Sequence, residues 1–504
     1  MTVKKELIER YRLLLVVAFV ISFVAACSST QTDAVQSRID DVENSLIAAV
    51  INAGSEPAGM SLSDRMQHYQ VPGVGIAVIN NGQIEWAKGY GVTETGGSQA
   101  VSPDTVFQAC SVSKPVSVMG IMLLAQSGAI DISRNVNDYL RSWRLADNTF
   151  TTTEKATIRR LMSHTGGTNV SGFGGYPAGS AIPTLLQVLN GAPPATSEAV
   201  QVVSVPGSQY SYSGGGMEVL QQMAEDVTGM PFQTYMKNNL FSRLGMNSSD
   251  FVQPMAGPLA THAAEAHDID GNVVPGGWNT YPELIAAGLW TTPSDLARLL
   301  IEVQKAATTN TGALLTQQTA TGILAQQPNS TMGLGFAIRN GKGGLIFNHS
   351  GSNLGYKSFV TAYRDQGQGI AIMTNGENGF ALIMEIVRAV AKVYRWPDTF
   401  VEEAKLVDVP LSILQSYVGN YTTTLGGQAF QVEIYLAGGT LMIKAAFGGT
   451  GSRSDMYPTA TDTFLIKDHP LVSGTLAFSR DVSGNVIGFT IVLQAGGTIV
   501  ATRI

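Results

Sequence analysis

The sequence predicts an α+β, multidomain protein: a sheet flanked by helices, a helical region inserted between its strands, and a small all-β module at the C-terminal end. Three observations predict it. Two β-rich runs flank the turn Asn81-Gly82, the strongest short-range hairpin signal in the chain. Strand pattern returns only at residues 343–375, after a long helical stretch, so one sheet draws strands from both sides of that stretch. Beyond Pro397 the helical pattern gives way to short β runs separated by Gly-Gly, Gly-Thr and Ser-Gly turns. The length of 504 residues agrees, since one hydrophobic core stops growing near about 250–300 residues.

Residues 1–27 are set apart from the fold. Lys4, Lys5, Arg10 and Arg12 precede a stretch, Leu13 to Ala26, that is apolar apart from Ser22. That stretch is too short to span a bilayer of roughly 30 Å, but it suits a signal-peptide core. It ends Val24-Ala25-Ala26-Cys27, which resembles the bacterial lipoprotein signal. The resemblance implies a lipid on Cys27 and an anchored location at the periplasmic face of the envelope, with Ser28 fitting outer-membrane sorting. Residues 28–36 then read as a polar tether.

Residues 37–400 form the main domain. It opens with an amphipathic pattern, Ile39, Val42, Leu46 and Val50, and continues into the hairpin, residues 71–80 and 83–87. Residues 111–305 read as mainly helical, with helices at 116–126, 214–228 and 293–305. Thr292-Pro293-Ser294-Asp295 supplies a cap and first turn for the last of these. Glycine- and proline-rich loops, 166–180 and 254–288, lie between them. A closing helix follows the later strands, at 379–394. The C-terminal module, 408–504, shows β runs at 428–436, 440–446, 472–479, 486–495 and 498–503.

Composition narrows the function classes. Net charge is −7 and no basic stripe occurs in the body of the chain, so a nucleic-acid partner is set aside. Charged residues are only 14% and glycines number 55, which favours tight turns and long ordered loops over disorder. The two cysteines, Cys27 and Cys110, leave the mature chain no internal disulfide once Cys27 carries lipid.

The chemistry concentrates in Phe107-Gln108-Ala109-Cys110-Ser111-Val112-Ser113-Lys114. Spacing of three puts Ser111 and Lys114 on one face of a helix, and a helix starting near Ser111 aims its amides at developing negative charge. A serine hydroxyl needs a base before it attacks, and a lysine serves when burial or another cation keeps its amine neutral. Alone, Ser-x-x-Lys is a weak signal. Two further stretches strengthen it: Tyr210-Ser211-Tyr212-Ser213-Gly214 before a glycine-rich helix start, and Asn348-His349-Ser350-Gly351-Ser352 in a later strand.

These three motifs in this order resemble the serine β-lactamase and penicillin-binding superfamily, most of all its class C β-lactamase, D-amino-acid peptidase and family VIII esterase branch. Residues 161–167, 287–296 and 333–336 support the resemblance, which covers about residues 60 to 395. It implies an antiparallel sheet with flanking helices and an inserted helical region. It implies Ser111 as the acylated nucleophile, Lys114 as its base and Tyr212 as a proton shuttle. His349-Ser350-Gly351 would wall the cleft, and the Ser352 and Ser111 amides would form an oxyanion hole, a donor of which is typically worth ~2.7–4 kcal/mol. No metal or organic cofactor is implied. Two departures stand out. Gly214 replaces the asparagine common in relatives, and the third motif is His-Ser-Gly where many have Lys-Thr-Gly. Neutral histidine anchors a carboxylate weakly, so the expected substrates are carboxylic esters or small amides, D-amino-acid peptides included. The alternatives are a class C-like β-lactamase or D-Ala-D-Ala carboxypeptidase, and, from another class, a non-catalytic penicillin-binding sensor.

Rival residues fare less well. Cys110 has no lysine three residues on, so packing is its expected role. Ser113 faces another side of the helix, and His164 reads as a structural loop histidine. His262, Glu265 and His267 lack the spacing of a metalloprotease helix and read as loop residues near the cleft rim. No Gly-x-Ser-x-Gly elbow occurs, which argues against an α/β-hydrolase. The C-terminal module carries no recognisable site residue. Packing or contact with a partner is its expected role, with a loop at the cleft as the open alternative.

Overall fold

The computed structural model describes residues 32–425, 428–447 and 450–504. Its main sheet comprises β1 (Gly73–Asn80), β2 (Gln83–Gly91), β3 (Ala337–Gly341), β4 (Gly344–Asn353), β5 (Tyr356–Tyr363) and β6 (Gly369–Thr374). They lie in the order β2-β1-β6-β5-β4-β3, every neighbouring pair antiparallel. The first two precede the insertion and the other four follow it. The hairpin closes because Asn81 and Gly82 both take positive φ, 52° and 68°, as a two-residue turn between twisted strands demands. Edge strand β3 has no counterpart in the sequence reading.

Four long helices organise the layers: α1 (Ser113–Gln126), α2 (Gly214–Thr228), α3 (Pro293–Thr309) and α4 (Gly379–Val393). Along β1 the side chains divide with period two. Ile76 and Val78 join the core beneath α4 and helix Leu62–Tyr69; Ala77 and Ile79 join the core shared with α1, α2 and α3. The sheet is thus a partition between two cores, and the insertion is built on one side of it. Helix α3 starts where Thr292 caps it, accepting from Asp295 N at 3.2 Å, and it runs four residues past its expected end to Thr309.

Three local expectations are corrected. The amphipathic pattern from Ile39 to Val50 is not one helix: the helix covers residues 32–43, Leu46 bridges Met60, and Val50 begins a short strand parallel to Glu402–Ala404. That helix takes in residues 32–36, which composition alone assigns to the tether. The insertion is less helical than its pattern suggests, because glycine- and proline-rich segments leave only short α-helices, such as Ile158–Met162 and Leu185–Asn190, between α1 and α2. It also holds a two-stranded pair, Phe107–Gln108 with Trp290–Thr291.

The C-terminal module is a closed antiparallel barrel of eight strands: β7 (Gly419–Leu425), β8 (Gln428–Ala437), β9 (Thr440–Phe447), β10 (Thr450–Ala460), β11 (Thr463–Ile466), β12 (Gly474–Arg480), β13 (Val486–Leu493) and β14 (Thr498–Arg503). Pairing of Tyr421 with Arg503 closes it and removes the exposed edge. Sequence pattern misses β7 and β10, whose alternation polar and glycine residues interrupt, and β11, which is only four residues long. Eight strands leave room for side chains and little else, and Val432, Ile443, Phe464, Leu476 and Ile491 fill that space. Helix Leu411–Tyr417 plugs one end, its Tyr417 ring stacked on Phe478 at 4.1 Å.

The barrel is fixed to the main domain. Met442 points outward from β9 yet is wholly buried in the core beneath α4. Around it runs a buried ionic network in which Arg65 reaches Glu385 at 2.7 Å and Asp455 of β10 at 2.6 Å, with Tyr69 donating to Glu385. Glu377 accepts from Gly451 N of the barrel at 2.8 Å and pairs with Lys357 of β5 at 2.8 Å. Among the described residues no helix is long and apolar enough to cross a membrane; residues 1–31, with Cys27 and tether residues 28–31, lie outside them.

Candidate active site

Ser111 is presented by a sharp turn. Cys110, just before it, takes a positive φ of 54°, a conformation that costs a non-glycine residue of order 1–3 kcal/mol and needs its surroundings to hold it. They do so: Ala109 N donates to Leu289 O at 2.8 Å, and Ser358 of β5 donates to Ala109 O at 2.6 Å. A single 3₁₀ turn, Cys110–Val112, then leads into α1. The Cys110 thiol faces inward, donating to Gln108 O, and burial pushes its pKa up to about 12. It is a packed side chain and no rival for the serine.

On the next turn, Lys114 is 2% exposed and donates to Ser111 Oγ at 3.1 Å and to Ala286 O at 2.7 Å. The same Ala286 gives its amide to Glu218 of α2 at 3.0 Å. The short helix Leu284–Ala287 is thereby clamped between a lysine and a carboxyl. Glu218 is fully buried, and burial, then the neighbouring Glu283, hold its carboxyl well above the usual range.

Tyr212 approaches from the opposite side, with Lys114 Nζ 5.0 Å from its ring centroid. His164 braces the tyrosine at 4.3 Å between ring centroids, while its Nδ1 accepts from Ser213 N at 3.2 Å. That leaves the His164 proton on Nε2, which is buried without a partner. Burial, followed by the charge of Lys114, keeps this ring neutral. His349 of β4 lies 6.4 Å from Tyr212; burial, with Lys114 behind it, lowers its pKa to about 3. His349 faces the cleft as an uncharged imidazole.

Strand β4 passes very close to the nucleophile's turn, and Gly351 makes this approach feasible. A methyl group there would lie 2.6 Å from Ala109 O and 2.8 Å from Cys110 Cβ, and would overlap Ser358 Oγ. Gly214 plays a different part from the one its motif suggests. It is buried, and a methyl group on it would meet the Phe173 ring at 3.0 Å. Phe173 itself lines the cleft, so an aromatic ring stands where a side chain at position 214 would begin.

The cleft has two lobes, of about 410 and about 650 Å³. Ser111, Tyr212 and Ser352 line both. The smaller adds His349, Gly351, Met332 and Phe380; the larger adds Lys114, Phe173, Tyr281 and Leu354. The motif residues expected to face one another are thus gathered in one place. Elsewhere, Ser113 accepts from Leu289 N, and His267 is spent on Asn375 O and Thr95 N, at 2.7 and 3.0 Å. Sequence reasoning passed over Phe173, Glu218 and the barrel residue Pro470, which lines both lobes. Glu218 offered a signal, a lone carboxylate within the apolar run Met217–Leu220; Pro470 offered none.

Residues 61–392 match the Beta-lactamase family. The chain belongs to that family. Among curated relatives it is 23% identical over 393 residues to Protein flp of Staphylococcus aureus (strain N315), covering 74% of this chain and 72% of that one. It is 25% identical over 360 residues to penicillin-binding protein 4 of Amycolatopsis lactamdurans, covering 68% and 91%. Among solved structures, the octameric penicillin-binding protein homologue from Pyrococcus abyssi superposes with a TM-score of 0.57 at 19% identity, over 87% of this chain and 98% of the other. SurE with D-Leu gives 0.54 at 20% identity, over 88% and 97%. At such identities the likeness is one of fold.

Proposed function

We propose that this member of the family is a serine hydrolase that works through an acyl-enzyme on Ser111 and acts on uncharged carboxylic esters or small amides. The observation that carries the reading is the contact of Lys114 Nζ with Ser111 Oγ, 3.1 Å, inside a buried site where the lysine is also tied to Ala286 O. Ser111 Oγ attacks the acyl carbon as its proton passes to Lys114, with Tyr212 relaying it to the departing alcohol or amine. The amides of Ser111 and Ser352 stabilise the tetrahedral oxyanion. Water then enters, and the same groups return the proton as the acid leaves and Ser111 is regenerated.

The lean toward uncharged substrates has its own support. His349 is neutral, and Lys357 at the wall of the smaller lobe is already neutralised by Glu377. Among the described residues lining the smaller lobe a substrate carboxylate meets no unpaired cation, and desolvating one without a partner costs several kcal/mol. Phe173 over Gly214 points the same way. The location that belongs to this reading is a lipid anchor on Cys27 at the periplasmic face of the envelope, tested by incorporation of a fatty-acid label that Cys27→Ser must abolish.

The activity test uses the chain lacking residues 1–27 with a chromogenic short-chain ester and a chromogenic cephalosporin, beside Ser111→Ala. Repeated ester turnover that vanishes in the variant is the expected result. Rapid cephalosporin turnover would overturn the preference for uncharged substrates, and a single trapped acyl equivalent would make the protein a sensor.

A further inference from the structure

The cleft is completed by the barrel. Pro470 sits on the loop between β11 and β12, and it lines the smaller and the larger lobe alike. It is the fourth residue common to the two, beside Ser111, Tyr212 and Ser352, and it comes from the other domain.

The loop that carries it is built to stay in place. His469 is buried; its Nε2–H donates to Ser452 O at 3.0 Å and its Nδ1 accepts from Leu471 N and Val472 N at 3.1 and 3.3 Å. Ser473 Oγ donates to His469 O at 2.8 Å and accepts from His469 N at 3.0 Å, which ties the loop's two ends together. On the outer side Asp468 pairs with Arg388 of α4, which joins the loop to the main domain. One exposed proline ring therefore stands on a rigid base facing Ser111.

We propose that this barrel loop, through Pro470, is a specificity determinant that sets the size of the apolar group admitted beside Ser111. The proposal rests on the Ser111 acyl-enzyme reading. The substrate class follows from the walls. Phe380 and Met332 in one lobe and Phe173, Tyr281 and Leu354 in the other give each an apolar wall beside polar residues such as Asn348 and Asn279, so the substrate that fits under that reading is an uncharged ester whose apolar group lies on those walls. Size discrimination is what such a wall delivers, because a methylene more or less in an apolar pocket changes kcat/KM by about 10- to 200-fold.

The test uses the full-length chain and two fluorophosphonates, one with a methyl and one with a dodecyl group, each of which joins phosphorus to Ser111 Oγ and expels fluoride. Labelling rates are read by mass spectrometry in the wild type, Pro470→Ala, Pro470→Trp and, as a control at an exposed barrel turn, Val482→Ala. Pro470→Trp is expected to lower the dodecyl-to-methyl rate ratio at least about tenfold, and Pro470→Ala to raise it about threefold or more, with Val482→Ala unchanged. Ratios within about twofold of wild type in both Pro470 variants, with Ser111 labelled normally, would overturn the proposal and leave the nucleophile intact. No labelling of wild-type Ser111 would overturn the acyl-enzyme reading and this proposal with it.

Discussion

Replacing Gly351 by alanine tests the site's geometry more sharply than removing any catalytic group. The perturbation is one methyl on β4, pointing at the turn that presents Ser111. Its nearest neighbour would be Ser358 Oγ, which it would overlap, followed by Ala109 O at 2.6 Å and Cys110 Cβ at 2.8 Å, whereas ordinary contact begins at 3.4 Å. The Ser358 hydroxyl would have to turn away, giving up its bond to Ala109 O, while the Ala109 backbone stays tied to Leu289 O and Cys110 is packed in a positive-φ turn. The strand must retreat by about 0.7 Å, carrying the Ser352 amide away from Ser111, and displacements of about 1 Å at reacting groups cost on the order of 100-fold. We therefore expect a fall in kcat/KM of about 10- to 100-fold, or ~1.4–2.7 kcal/mol of transition-state stabilisation. The assay is ester hydrolysis together with Ser111 labelling, run well below the variant's melting temperature so that unfolding does not contribute. A folded Gly351→Ala enzyme within about twofold of wild type would refute the argument that this close approach sets the catalytic geometry.

Three further predictions follow from buried polar groups. Arg65→Ala would remove the guanidinium shared by Glu385 and Asp455, leaving them only Tyr69 and His68, and we expect a loss of about 3–5 kcal/mol in urea unfolding; retention of wild-type stability would mean the network does not join the domains energetically. Burial lowers the His469 pKa from 6.5 to about 4, so its stabilising contribution is whole above pH 6.5 and lost as pH falls toward 4, by ~3 kcal/mol. Glu218 and Glu283 are shifted the opposite way and lose their contribution as pH rises, which flattens the curve of the whole protein; the quantity to measure is the wild-type minus His469→Gln difference, which must grow with pH across that window. Glu218, held protonated by burial, already behaves as a neutral acceptor for Ala286 N, so Glu218→Gln should keep ester turnover within about threefold while Glu218→Leu, which frees that amide, lowers it tenfold or more.

What the sequence disclosed was the candidate site and the frame. Ser111, Lys114, Tyr212 and His349 were legible as candidates because the proposed proton transfer would fix residue types at short spacings, and a helix turn or one strand suffices to hold each motif. The hairpin at Asn81-Gly82 and the helix from Gly214 were legible for a similar reason, since a turn and a cap are local. The amphipathic run from Ile39 misled because Leu46 and Val50 are buried by tertiary pairing with Met60 and with Glu402–Ala404, not by continuing a helical face. Strands β7, β10 and β11 escaped because barrel closure supplies partners that their own patterns do not announce.

The residues that shape the substrate were hidden for a deeper reason. Phe173, Phe380 and Pro470 come from three segments up to about 300 positions apart, and a wall needs only bulk and an apolar surface, which no spacing rule marks. Gly214 shows how far a motif can be read. Its identity signals that no side chain reaches out from position 214, but only the fold reveals that Phe173 covers that place. Chemistry is conserved in the grammar of short motifs, whereas selectivity is assembled from loops that meet only after folding. On the proposed function, a barrel locked to the main domain by Arg65, Glu377 and Arg388 would alter which esters reach Ser111 through one loop, without altering any of the motifs assigned to the reaction.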